Sequence, residues 1–417
     1  MLFFILTSCT LRNSPVEEVI KEKKQDDSYK KTEQIDTKPN EAINSETNIP
    51  VILKTKIISE IEVVLPFNEN KHISNHLISS LELSIHRKEI KDIYFNINEY
   101  HNDSDLIKIL REKSKPGKIF LGPLTSSDTL IAKDFCNDGS IFFSFASDRG
   151  LAGDCIYLVN FFPEDDLRTL FNFFTEKDRI ALLYPENHYG KYINDIVDEY
   201  SFNSPALLVN KVSYKEDLTD SRDAVKKLGK YELRKKELDK QKKILQSKKD
   251  EISKKALKKI RKFETIGELD FTHVIIADHN IRLLEIAPLL PFYDIDPNKI
   301  QFVGTGVWDD PVFFNEPSLQ GAIFSGIPKS NRDDFFEEFK SFYQTKPIRT
   351  ITIMYDLLGL LDHIIKNKLT KESTLKMLNN QGISFQGIDG VFVFENNLIK
   401  RNLNILKIYK GEAVFVK

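Results

Sequence analysis

The sequence predicts an α/β fold built from two doubly wound units, with a helical insertion in the second. Three observations carry this. Short β-branched runs alternate with stretches of helical period from residue 57 to 145. The same alternation restarts at 167 and runs to 324. The 417 residues, 41% hydrophobic and 29% charged, hold enough apolar material for two modest cores.

Residues 57–66 read as a β-branched strand that ends at Pro66. Over 72–87, Ile73, Leu77, Leu81 and Ile85 recur at a helical period. A second strand covers 90–97, and 104–112 is helical, with Leu106, Ile107 and Leu110 on one side. A third strand over 118–121 closes at Gly122-Pro123, 129–136 is a helix, and 140–145 is the fourth strand. In the second unit, helices are expected over 167–174, 192–200 and 281–290, and strands over 180–184, 206–212, 271–277, 300–304 and 321–324. The crossover between the units is expected near 161–165. Such alternation gives a parallel sheet with helices on both faces. Ligands of such sheets sit beyond the carboxyl ends of the strands, so two facing sheets would form a cleft. Helices over 333–343 and 350–366 follow, then short antiparallel strands over 391–394, 403–409 and 413–416, with Asn396-Asn397 and Lys410-Gly411 as turns.

Residues 226–263 are extremely rich in Lys and Glu. Apolar residues recur at Leu228, Tyr231, Leu238, Leu245, Ile252, Ala256, Ile260 and Phe263, which predicts one long helix or a helical hairpin. Two readings stand: an arm that docks on a partner or an anionic surface, and a solvated insertion stabilised by pairs four residues apart. The whole chain carries a net charge of −2, which gives it no strong pull on nucleic acid or anionic membranes.

Met1 to Ile5 is apolar and leads into Leu6-Thr7-Ser8-Cys9, which resembles a bacterial lipobox. In such sequences the cysteine is lipidated, and Cys9 would become the anchored N-terminus. The apolar run is too short to span a bilayer and lacks a basic n-region, so the translation start is expected upstream. Residues 1–9 are thus a signal remnant with the lipidated cysteine, and 10–50 a disordered tether, since 11–48 carry almost no periodic apolar positions. As a flexible coil the tether would span roughly 35 Å. Thr10, where retained inner-membrane lipoproteins carry Asp, leans toward the outer membrane. The resulting location is the periplasm, with a multiply acylated lipid anchor as the membrane contact.

No Gly-x-Ser-x-Gly elbow, Walker loop, His-Glu-x-x-His or Gly-x-Gly-x-x-Gly occurs, and no enzyme or cofactor is implied. Gly304-Thr305-Gly306 reads as a tight turn. His72 and His76 have metal-compatible spacing but no evident third ligand, and surface histidines are expected. Asp309-Asp310, between Trp308 and Pro311, reads as a structural turn. Cys136 and Cys155 would pair in an oxidising compartment, but two small buried hydrophobes are the favoured expectation.

The strand 63–67 (VVLPF), the turn 121–127 (LGPLTSS) and the segment 142–148 (FFSFASD) resemble type I periplasmic binding proteins. The segments 287–311 (APLLPFYDIDPNKIQFVGTGVWDDP) and 385–412 (FQGIDGVFVFENNLIKRNLNILKIYKGE), with the Lys/Glu-rich insertion, resemble the penicillin-binding protein activator lipoproteins. The resemblance covers 57 to the end. It implies two Rossmann-like lobes joined by three crossovers, lobe one at 53–162 plus 328–369 and lobe two at 163–327 plus 370–417. It also implies a non-catalytic regulator that touches a peptidoglycan synthase. The alternative is the solute-binding lipoprotein of a branched-chain amino acid or amide ABC transporter. By the same resemblance the interlobe cleft would be lined by Ala146, Ser147 and Asp148 on the turn after the fourth strand, by Tyr189 and Asp278, and by Ser126 and Trp308. A small polar ligand could sit there, although Asp148 would repel a carboxylate. The other reading is that these residues pack a permanently closed interface.

Overall fold

The computed structural model describes residues 60–91, 93–248, 250–329 and 332–416. Cys9, the tether and the first residues of the strand expected from 57 lie outside the described residues. The chain divides into two units. The first comprises the described residues up to Asn160, Ile353–Gly387 and Phe392–Ile399. The second comprises Phe161–Thr352, Ile388–Val391 and the described residues from Lys400 onward.

The first unit opens with β1 (Glu60–Pro66), α1 (Lys71–Lys88), β2 (Tyr94–Tyr100), α2 (Asp103–Lys113), β3 (Ile119–Leu121), α3 (Ser126–Lys133), β4 (Ile141–Ser144) and β5 (Ile156–Leu158). The second unit runs through α4 (Pro163–Phe173), β6 (Arg179–Pro185), α5 (His188–Asn203), β7 (Leu207–Tyr214), α6 (Ser221–Leu228), α7 (Tyr231–Ser247) and α8 (Glu251–Ile260). It continues with β8 (His273–Ile276), α9 (Asn280–Ile286), α10 (Leu289–Phe292), β9 (Gln301–Gly304), α11 (Pro311–Phe314), β10 (Ile323–Gly326) and α12 (Asp333–Tyr343). The chain returns to the first unit for α13 (Thr352–Lys366), α14 (Lys371–Leu378), β11 (Phe385–Gly387), β12 (Gly390–Glu395) and β13 (Leu398–Arg401). It ends in the second with β14 (Asn404–Tyr409) and β15 (Glu412–Phe415).

The first sheet has the order β11-β12-β13-β5-β4-β3-β1-β2, and the second β15-β14-β10-β9-β8-β6-β7. In each, five successive parallel strands take the order 2-1-3-4-5, with the switch point between the first and third. Six of the seven residues of β1 are buried, as expected for a strand covered on both faces. In the second sheet the alternation is explicit. Ala181, Leu183, Val274, Ile276, Phe302 and Phe324 face one core, shared with α6 and α9. Ile180, Leu182, Ile275, Ala277, Val303 and Ile323 face the other, under α4 and α5.

Several expectations are corrected. The second strand begins at Tyr94 rather than 90, and β5, α14, β11 and β13 are additional elements. Residues 328–352, where described, sit with the second unit. Residues 370–387 and 392–399, expected in lobe two, belong to the first, because β11–β13 extend its sheet beyond β5. His76 is buried rather than at the surface, its Nδ1 2.9 Å from the carbonyl of His72. Cys136 and Cys155 form a disulfide, with Cα atoms 5.2 Å apart. The cause is the unrecognised β5: it pairs with β4 and brings Cys155 back beside the turn that follows α3. The expected turns do hold, with Asn396, Asn397, Lys410 and Gly411 all at positive φ.

The passages between the units converge on one cluster inside the second. Phe161 is its first residue. The Arg349 and Arg401 guanidiniums each lie 4.4 Å from the centre of the Phe161 ring. Arg349 pairs with buried Asp389 at 3.1 Å. Burial alone would raise the Asp389 carboxyl, but Arg349 and Arg401 hold it below the usual carboxylate range. Arg332 pairs with Asp309, so the Asp309-Asp310 turn also supplies a buried counter-charge. The Arg401 amide donates to Asp165 at 2.8 Å, and Asp165 pairs with Arg168 at 2.7 Å.

Phe161→Leu keeps apolar bulk but removes the ring between two guanidiniums. It should destabilise the second unit by about 2 kcal/mol. Urea unfolding followed by the fluorescence of Trp308, the single and fully buried tryptophan, reads this directly. An unchanged midpoint would refute the role of the ring. Separately, Cys136→Ser with Cys155→Ser opens a link across 19 positions and should cost about 3 kcal/mol, seen by circular dichroism as an earlier transition.

Candidate functional site

The switch point of the second sheet lies between β6 and β8, and Asp278 follows β8 there. Asp278 is fully buried. Its carboxylate accepts from the Tyr214 hydroxyl at 2.6 Å, from Arg282 Nε at 3.0 and 3.1 Å, and from the His279 amide at 2.8 Å. Its carbonyl accepts from Trp308 Nε1 at 3.1 Å. Tyr189, in the first turn of α5, shares a 2.7 Å hydrogen bond with Thr305. Its ring meets His279 edge-on at 5.3 Å. Burial pushes the Tyr214 and Tyr189 hydroxyls well above the usual phenol range, and pushes His279 down, so all three are neutral at pH 7.

The turn Gly304-Thr305-Gly306 is tight for a packing reason. A Cβ on Gly304 would lie 2.0 Å from the Trp308 ring, and one on Gly306 would lie 2.8 Å from Asp166 Oδ1. Asp166, at the start of α4, accepts from Ser325 Oγ at 2.6 Å and is buried. That burial raises its carboxyl to about 7.

The first unit carries the other predicted residues at the carboxyl ends of β3 and β4. Ser126 Oγ accepts from the Asp148 amide at 3.3 Å, and Asp148 caps the next turn through Gly150 N at 2.9 Å. The Ala146 amide donates to Ser144 Oγ at 3.1 Å, and Ser144 meets Thr129 at 2.7 Å. Ala146 is buried, whereas Ser147 and Asp148 are exposed. The structure therefore gathers Tyr189, Asp278 and Trp308 in one unit and Ser126, Ala146, Ser147 and Asp148 in the other. Sequence reasoning missed Thr305, Tyr214, His279, Arg282 and Asp166. Arg282 was findable, since it stands four residues after Asp278 on the same predicted turn and helix.

Chemically, the second unit's site is a set of dipoles and charges that satisfy one another. Its two hydroxyl–carboxylate contacts, Tyr214 on Asp278 and Ser325 on Asp166, are both buried. Among the described residues, no group of three or more His, Cys, Asp or Glu could hold a metal ion.

With this geometry in view, the chain is similar in structure to several solved proteins. One, from Rhodospirillum rubrum and ascribed to branched-chain amino acid ABC transport, superposes with a TM-score of 0.64 at 14% identity, covering 86% of this chain and all of that one. A substrate-binding protein of an ABC transporter from Desulfitobacterium hafniense, in complex with Leu, gives 0.56 at 14% identity, with 86% and 100% covered. Full-length LpoA from Haemophilus influenzae gives 0.59 at 13% identity, covering 87% of this chain and 60% of LpoA. No family model and no curated protein matches the sequence. The chain has the type I periplasmic-binding-protein fold.

The Asp166 carboxyl sets a pH dependence. Its value in the fold lies above the ordinary 3.8, so the folded state holds the proton more tightly. The stability this proton supplies is fully present below the unfolded value and is lost as pH rises through about 7. Asp166→Asn should remove that loss and be the more stable protein at alkaline pH, by about 2 kcal/mol. Urea midpoints across the pH range check it; a less stable variant at alkaline pH would show that the carboxylate is wanted.

Proposed function

We propose that this chain is a periplasmic lipoprotein that acts through protein contact, as a non-catalytic activator or regulator of a peptidoglycan synthase. The carrying observation is the self-satisfaction of Asp278. The buried carboxylate that could meet a solute ammonium is instead taken up by Tyr214, Arg282 and the His279 amide. A scaffold with its polar groups spent internally works by its surface. Three further points support the reading. The disulfide fits an oxidising compartment. The Leu6 to Cys9 motif fits a lipid anchor. LpoA from Haemophilus influenzae shares the fold, and segments 287–311 and 385–412 resemble the penicillin-binding protein activator lipoproteins.

A second reading is kept because Ser147 and Asp148 stay exposed on the turn after β4. There they could accept from a cationic or polar solute, as in an ABC transporter's binding protein.

The experiment pairs two measurements on the full chain. Added to a purified bifunctional synthase from the same cell, it should bind and raise the rate of glycan polymerisation or cross-linking. Calorimetry against an amino-acid and amide panel should give no affinity tighter than about 1 mM. Micromolar binding without stimulation would move the chain to the transporter reading.

A further inference from the structure

The insertion in the second unit is a two-helix hairpin, α7 and α8. Its inner seam is Leu238, Ser253 and Leu257, all buried. Its root is fixed to the unit's body. Tyr231 packs edge-on against Tyr293 at 5.2 Å, and the Arg234 guanidinium donates to the carbonyls of Gly229 and Asp294 at 3.3 Å. Thr265 donates to Asp294 at 2.7 Å and closes the other side. The far end is also built: Asp250 caps α8 by accepting from Ser253 N at 2.8 Å.

What this hairpin presents is charge. Residues 226–263, the hairpin with its flanks, hold seventeen Lys and Arg against five Asp and Glu, a net +12 on a chain of net −2, and 231–260 alone hold twelve against five, a net +7. The rest of the chain therefore carries −14. Pairs such as Lys240–Glu237 at 3.8 Å and Lys254–Glu251 at 2.7 Å use the few acids. Lys226 and Lys230 also pair with Asp223 and Asp270 outside the segment, yet the acids in reach stay far fewer than the seventeen bases, so local pairing does not explain the composition. Beside the interhelical turn stand two apolar side chains in the open, Ile244 at 46% and Ile252 at 81% exposure. Exposed Lys243, Lys248, Lys254 and Lys255 surround them in sequence.

We propose that the hairpin is a membrane-surface arm: its lysines meet the headgroups of anionic phospholipids and Ile244 and Ile252 enter the interface. Cationic side chains bind an anionic leaflet additively, and apolar residues among them convert attraction into insertion. A nucleic acid is the poorer fit, because residues 232–262 contain no aromatic side chain on which a base could stack. An acidic protein would have to bury the isoleucines in a shaped apolar complement, whereas side chains that flank a turn among lysines suit a lipid interface, which needs no such fit. The arm is independent of any acyl chain at Cys9 and of the synthase.

The test uses the full chain with Cys9→Ser, so that no acyl group contributes. It should co-sediment with phosphatidylcholine vesicles containing about one quarter phosphatidylglycerol and not with phosphatidylcholine alone. The combined variant Lys243→Gln, Lys248→Gln, Lys254→Gln, Lys255→Gln should bind at least about tenfold more weakly. Ile244→Ser with Ile252→Ser should weaken binding several-fold while leaving circular dichroism unchanged. The indole introduced by Ile252→Trp should shift to the blue on binding and be quenched by brominated lipid. No binding to anionic vesicles, or equal binding by the lysine variant, would overturn the proposal. So would an unquenched indole with polyglutamate or duplex DNA competing charge for charge, which would assign the arm to an acidic macromolecule.

Discussion

Phe161 is the fixed point of the second unit. Two guanidiniums approach its ring at 4.4 Å, and both belong to residues next to places where the chain leaves or re-enters the unit. A buried guanidinium is costly unless its charge is met. Here the ring offers one partner and Asp389 the other, which is why that carboxyl stays ionised despite full burial. A chain that returns several times needs its return points specified in sequence. Arg349, Asp389 and Arg401, distant along the chain, make one cluster that only the correct set of passages can assemble. The net energy of such buried ionic groups is small once desolvation is counted.

The same logic runs through the carboxyl edge of the sheet. Asp278 could have been left for a ligand, yet Tyr214, Arg282 and the His279 amide take its oxygens, and Trp308 takes its carbonyl. Gly304 makes room for that indole, so the glycine, the tryptophan and the aspartate form one packed unit. Within the second unit this edge is satisfied by the unit's own side chains and amides. The first unit is less closed, with Ser147 and Asp148 at the surface.

The fold was legible wherever burial on both faces of a strand left a continuous apolar run, as in β1, β6, β8 and β9. It was illegible where an element was three residues long. β5 is only Ile156–Leu158, and missing it hid both the disulfide and the route by which β11–β13 join the first sheet. Likewise the hairpin's helices were readable from apolar spacing, because Leu238 and Leu257 mark a seam. Of the site, Tyr189, Asp278 and Trp308 were foreseen, but their partners were not. Tyr214 and Thr305 come from different strand ends, and only the parallel register brings them together. Asp309 read as a turn because its charge partner, Arg332, is supplied by a segment beyond β10.

A whole-chain charge of −2 averages over a strongly basic segment and an acidic remainder. Charges separated by more than about 8 Å at physiological salt act locally, so a +12 arm and a −14 remainder do not cancel for anything that approaches the arm. Within the arm, like charges three and four residues apart repel and lower helix stability. The fold offsets that cost at the root, through Tyr231, Arg234 and the Leu238–Leu257 seam, rather than by supplying acids along the helices. A structure that stabilises a repulsive element from one end, and leaves isoleucines exposed at the other, is arranged to receive its counter-charge from outside the molecule.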